Sequence, residues 1–276
     1  MPTHAATEST QYYLRIGLYH RILHGMMITS FLGLAGTGLP IKFNWAPWAS
    51  ALAQAIGGFG TLIFFHQSFA TLLTLCFALH IGSLVYRGVI KGDRSLFWGS
   101  NSLVPHPKDL VDVYAHFRWF LGLGPRPHFD RFTYWEKFEY WAVFWGMAII
   151  GTSGFMLWFS SFFARFTPGW LFNIALLIHS DEALLAVWFI FAIHFFNCHI
   201  RPEKFPMDPV IFTGRISAEE LREERPAEFE RLVAQGKLQT IAMDPPPLWL
   251  RNFGRIIGFT AVSIGWLLFG LTLLAF

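Results

Sequence analysis

The stretch 61-TLIFFHQSFATLLTLCFALHIGSLVYRG-88 decides the fold class. From Thr61 to Tyr86 it holds no Asp, Glu, Lys or Arg, yet it carries two histidines, His66 and His80. About 20 consecutive apolar residues suffice for a helix to cross a bilayer, so this segment reads as a transmembrane span over about 61–87. Similar apolar segments lie at about 20–41, 138–163, 170–198 and 253–275, which predicts five spans in all. Composition agrees. The 276 residues are 54% hydrophobic and 14% charged, against about 25% charged in soluble domains. The expected fold is an all-α, integral membrane bundle of five transmembrane helices.

The charges that do occur set an orientation. The connection after the second span carries eight basic residues from Arg87 to Lys137, and that after the fourth carries nine from Arg201 to Arg255. The other two connections hold one each, Lys42 and Arg165, and the tail and entry turn hold Arg15 and Arg21. Lys and Arg concentrate on the cytoplasmic side, which places the N-terminus in the cytoplasm and the C-terminus outside, in a bacterial inner membrane. The net charge of +3 then reflects membrane anchoring, and no basic groove or motif speaks for nucleic acid. The first 19 residues lack the pattern of a secretory signal and read as a retained tail. Cys76 and Cys198 lie inside spans and outside any C-x-x-C-H pattern, which excludes covalent c-type haem attachment in this chain and argues against a disulfide framework.

Two stretches between spans read as helices. In 105-PHPKDLVDVYAHFRWFLGLGP-125, Pro107 suits a first helical turn, Leu110, Val111, Tyr114 and Phe117 follow a helical period, and Gly122, Gly124 and Pro125 end it. In 217-SAEELREERPAEFERLVAQGK-237, Ser217 and Glu220 form a capping-box pattern, Pro226 splits the segment in two, and Gly236 suits a C-cap. Then 244-DPPP-247 stiffens the approach to the last span. These helices read as solvated or headgroup-level braces for the bundle; docking of a cytoplasmic partner is the alternative.

Ionisable residues inside spans are costly and default to functional hypotheses. The fourth span, 174-IALLIHSDEALLAVWFIFAIHFFNCHIRPEK-204, repeats the pattern of the second, with His179 and His194 fifteen apart where His66 and His80 are fourteen apart. Such steps return to within about 60° of one helix face and cover roughly 21–23 Å along the axis. His66 and His179 therefore share an outer depth, and His80 and His194 an inner one. Two imidazoles from facing helices can ligate one iron axially, so two layers would hold two stacked b-type haems in a four-helix core. Interhelical hydrogen bonding by the same rings is the competing reading. Arg21, Arg87 and Arg201 flank the inner layer and suit haem propionates or simple anchoring. Asp181 and Glu182 beside His179 read as interfacial carboxylates. His4, His106, His116 and His128 read as solvated or structural.

The segment 133-TYWEKFEYWAVFWGMAIIGTSGFMLWFSSFFARFTPGWLFNIALLIHS-180, with its T-x-G, T-P and L-x-I-H steps, resembles the cytochrome b (gamma) subunit of respiratory formate dehydrogenase and its di-haem relatives. Through 194-HFFNCHIRPEKFPMD-208 it looks closest to a subgroup that works with multihaem c-type cytochromes. The likeness covers about 15–215; the remainder, 216–276, adds a helical connection and the fifth span. It implies a haem-binding bundle over 1–215 that pairs His66 with His179 and, through Arg21-x-x-His24, His24 with His194. This sequence departs from the pattern by adding His80 and His199, so depth favours His80 with His194, the resemblance favours His24 with His194, and three haems would use them all. His20, one turn from His24, suits headgroup level or a propionate. The resemblance further implies an electron-transfer subunit of a hetero-oligomeric oxidoreductase complex. Its partners would be a periplasmic multihaem cytochrome c, or iron–sulfur or molybdoenzyme subunits, and the membrane quinone or menaquinone pool. Asp93, Asp109, Asp112 and Glu203 are candidate proton-handling groups near the quinone. A cofactor-free or metal-ion-binding transporter or scaffold is the alternative class, although the internal repeats and broken helices of transporters are missing from the sequence.

Overall fold

A computed structural model describes residues 11–275; residues 1–10, including His4, and Phe276 lie outside the described residues. The chain is all-α, with five helices long and apolar enough to cross a membrane. These are α1 (Leu18–Lys42), α3 (Phe59–Ile90), α5 (Tyr134–Trp158), α6 (Trp170–Ile200) and α9 (Leu248–Leu273). Shorter helices are α2 (Pro47–Ile56), α4 (Pro107–Phe120), α7 (Ala218–Glu224) and α8 (Pro226–Ala234). The shortest span has 25 residues, about 38 Å at 1.5 Å per residue, which exceeds the ~30 Å hydrocarbon core. Three span boundaries differ most from expectation, the first being the start of α9 at Leu248, five residues before its apolar run. α5 starts four residues earlier than the apolar run, and it stops at Trp158 because Phe159 leaves the helical region before a separate turn at Ser160–Phe163.

The chain divides into two compact units. Among the described residues one comprises 22–90, 139–208 and 255–275 and holds most of each span. Its core joins Leu39 of α1 and Phe43 just after it, Val187, Phe191 and Phe195 of α6, and Leu268 of α9. α9 approaches α6 closely at Gly265, where a Cβ would lie 2.8 Å from Phe191 Cδ1. Trp188 Nε1 donates to Thr272 Oγ1 at 3.0 Å on the same seam. Outward positions such as Phe64, Leu75 and Val85 stay exposed, as lipid-facing residues do. Four segments widen into π-helical turns: Tyr86–Ile90, Met147–Gly151, Phe189–His194 and Phe196–Ile200. Such turns cluster at functional sites, and they carry more residues per turn than the α-helix.

Among the described residues the other unit comprises 11–21, 91–138 and 209–254. It contains a small antiparallel sheet that sequence patterning does not foretell, with β1 (Tyr12–Leu14) between β2 (Arg215–Ser217) and β3 (Ala242–Met243). Tyr13, Val210, Ile216 and Leu221 pack into its core. Fully buried Glu228 is held at 2.8 Å by both Arg15 and Arg131, and Arg225 pairs with Glu136 at 2.9 Å. Ser217 Oγ accepts from the Glu220 N–H and Pro226 separates α7 from α8, as the sequence predicts.

α4 opens at Pro107 as expected, but its apolar stripe points outward. Leu110, Tyr114 and Phe117 are exposed, while Asp109 and Asp112 are buried. The bracing is polar. Asp109 pairs with Lys137 at 2.8 Å, Asp112 with Lys108 at 2.6 Å, and His116 Nδ1 lies 3.0 Å from the Tyr134 hydroxyl.

Candidate functional site

The two histidines expected to share one depth meet. His66 of α3 and His179 of α6 have ring centroids 6.2 Å apart and planes inclined at 80°. A metal bound axially by two imidazoles, at about 2.0–2.1 Å from each nitrogen, sets ring centroids roughly 6 Å apart.

The hydrogen bonds around these rings fix their tautomers. His179 Nδ1 lies 2.9 Å from the Ile150 carbonyl oxygen, which can only accept, so Nδ1 carries the proton. His66 Nδ1 lies 3.0 Å from Thr37 Oγ1. Thr37 spends its own hydroxyl proton on the Gly33 carbonyl at 2.6 Å, so it accepts from His66. Both rings therefore keep an unprotonated Nε2, the state a metal ligand requires. Glycines on the remaining two helices of the four-helix core make room. A Cβ at Gly38 of α1 would lie 3.0 Å from His66 Cε1, and one at Gly154 of α5 would lie 2.9 Å from His179 Cε1. At the same end Lys42 Nζ pairs with Asp181 at 2.6 Å and donates to Ser180 Oγ at 3.2 Å, so Asp181 is half of an exposed ion pair.

The second cluster gathers on the widened part of α6. His194 Nδ1 donates to Glu139 Oε2 at 2.9 Å, and Asn197 Nδ2 donates to Glu139 Oε1 at 3.1 Å. The carboxylate acceptor again places a proton on Nδ1. His24 of α1 lies within electrostatic range of both His194 and His199. His199 is 8% exposed, and its Nδ1 has no hydrogen-bond partner. Glu139, His194 Nδ1 and the Cys198 sulfur also fall within 4.8 Å of one another, a spacing small enough for a lone ion.

His80 stands in a different setting, with Nε2 2.9 Å from the Tyr140 hydroxyl and its ring edge-on to Phe144. Adjacent residues of α5, Glu139 and Tyr140, thereby engage His194 and His80 respectively. Of the flanking groups, Arg21 donates to the Phe212 carbonyl and His20 is exposed beside Tyr19. Arg87 lies half-buried in a widened turn, and Arg201 is half-buried with its Nε enclosed. Asp93 is tied to Ser95 at 2.6 Å, and Asp109 and Asp112 are tied to lysines. Glu139 and Thr37 were not singled out from the sequence. A carboxylate one residue inside the expected start of a span is itself the signal that marks Glu139; Thr37 carries none.

No protein-family model matches the chain, and no curated protein matches it in sequence.

Proposed function

We propose that the chain is a membrane-embedded b-type cytochrome, the subunit that carries electrons through stacked haems between a periplasmic redox partner and the quinone pool. The observation that carries this reading is the hydrogen bonding of the rings. His66, His179 and His194, drawn from two spans, all direct Nδ1–H at an oxygen acceptor, which leaves Nε2 as the nitrogen on offer for ligation. Histidines that merely joined helices would use either nitrogen, whereas all three here use Nδ1. Carbonyl and carboxylate partners on the far nitrogen are the arrangement that orients a metal-bound imidazole.

In this reading His66 and His179 hold one haem, with Gly38 and Gly154 clearing space beside the rings. His194 holds a second, opposite His24 or His199. Haem supplies a one-electron couple at each layer. The protein sets its axial ligands, keeps water away with apolar spans, and fixes the rings through Thr37, Ile150 and Glu139. The skew of Lys and Arg orients the N-terminus to the cytoplasm, and the His66–His179 layer then faces the periplasmic partner.

The Glu139–His194–Cys198 cluster favours a second reading, a lone metal ion within a transporter or scaffold. Absorption of the purified, dithionite-reduced protein separates the two. A b-type band and a pyridine haemochrome of two or three haems per chain support the cytochrome; metal by elemental analysis without haem supports the alternative and overturns the proposal.

A further inference from the structure

The outward apolar face of α4 is unlike that of an ordinary surface helix. Leu110, Val111, Tyr114 and Phe117, with Leu121 just past the helix end, are exposed by 61% or more. They recur at the spacing of one helix stripe. Asp109, Asp112 and His116 occupy the opposite stripe, where water would be expected, and each is engaged with a residue of its own unit. The amphipathicity is inverted relative to the protein interior.

The inward contacts also fix where this face lies. Asp109 pairs with Lys137, and His116 lies 3.0 Å from the Tyr134 hydroxyl. Tyr134 is the first residue of the span Tyr134–Trp158, and Lys137 lies in its first turn. α4 is therefore pinned at the point where the chain enters the membrane, the level of lipid headgroups. Its edges are basic. The Arg118 guanidinium lies 5.9 Å from the Tyr114 ring centroid, and that of Arg126 lies 5.6 Å from the Trp119 ring. The two aspartates of the helix are already neutralised by lysines.

We infer that α4 lies in the membrane plane and seats this stripe in the headgroup–acyl boundary of an anionic phospholipid leaflet. An apolar, aromatic face rimmed by arginine is the signature of an interfacial helix, and arginine and lysine beside it draw anionic headgroups. The inference stands apart from the haem reading and needs no cofactor.

The test places the photo-crosslinking residue p-benzoyl-phenylalanine at Leu110 or Phe117 of the full chain, with exposed His128 as the control position. The protein is reconstituted in phosphatidylcholine vesicles with or without phosphatidylglycerol, irradiated, and weighed intact. The expected result is a mass increase of one phospholipid at positions 110 and 117 but not at 128, in several-fold higher yield with phosphatidylglycerol. Three results overturn the inference: lipid adducts no more frequent than at 128, crosslinks to a second copy of the chain, or a yield indifferent to phosphatidylglycerol.

Discussion

Replacing Thr37 by Val tests the haem reading at its best-defined contact. The side chains are nearly isosteric, and Thr37 is 5% exposed within α1, so packing survives while the acceptor for His66 Nδ1–H at 3.0 Å is lost. The cost follows from burial. A partly buried N–H stripped of its partner loses about 1–3 kcal/mol, and removing an outer-sphere acceptor from a metal-bound histidine typically weakens binding about 10–100-fold. The two estimates agree, since roughly 1.4 kcal/mol is tenfold. The expected loss is near tenfold, the lower end of that range. The variant should release one haem about ten times faster to apomyoglobin in excess, leaving the other release phase unchanged. The potential of the same haem should rise, because an imidazole that no longer donates from Nδ1 is a poorer electron donor to iron. Identical release rates and potentials in the variant and wild type would refute the assignment of His66 as a ligand held by Thr37.

His80→Gln should leave the haem count of the purified protein unchanged, because Gln can still hydrogen bond Tyr140; loss of one haem by pyridine haemochrome would instead make His80 a ligand. Glu139→Gln should retain haem at His194 and raise its midpoint potential in a redox titration, and an unmoved potential would show that Glu139 does not act through His194. Asp130 provides a pH test outside the spans. Burial pushes its carboxyl up, but the Arg231 guanidinium at 2.8 Å and the Arg131 N–H outweigh this and hold it below the ordinary 3.8. A carboxylate with a lowered folded pKa stabilises the fold above its unfolded value, and that contribution fades as pH falls through the folded one. Asp130→Asn should therefore lower the near-ultraviolet dichroism melt at pH 5, by the equivalent of less than about 1 kcal/mol for so solvent-accessible a pair, and the difference should vanish toward pH 2. A gap that widens on acidification would reverse the sign of the argument.

What could be read from the sequence divides along physical lines. The spans were legible because a bilayer imposes a length and a composition on every crossing segment, whatever its neighbours. The His66–His179 encounter was legible because matched depth on two parallel helices constrains distance along the axis. Rotation about that axis was not legible. Steps of 100° presuppose 3.6 residues per turn, and α6 abandons that count after Trp188, so the faces of His194 and His199 could not be computed from the sequence. The stripe of α4 was legible as a stripe, but periodicity says which residues share a face and not what the face meets. The sheet was hidden for a different reason. Its strands have two or three residues, and β1 pairs Tyr12 with Ser217 and Met243, so neither periodicity nor proximity along the chain announces it.

The two histidine clusters also differ in the kind of oxygen that accepts from Nδ1, and this sets them apart chemically. His66 and His179 donate to neutral groups, a threonine hydroxyl and a main-chain carbonyl. His194 donates to a carboxylate, which Asn197 holds in place from its other oxygen. A hydrogen bond to a charged acceptor is the stronger. It draws the imidazole proton further away and leaves more electron density on Nε2. The negative charge of Glu139 adds to this by favouring the more positive oxidation state of any iron bound there. From these contacts alone, a haem held at His194 would have the lower potential of the two, and an electron shared between the layers of the proposed cytochrome would rest preferentially at His66–His179. In the proposed function this bias lies in the protein's hydrogen bonds before any partner or quinone is bound, and the single carboxylate of Glu139 accounts for most of it.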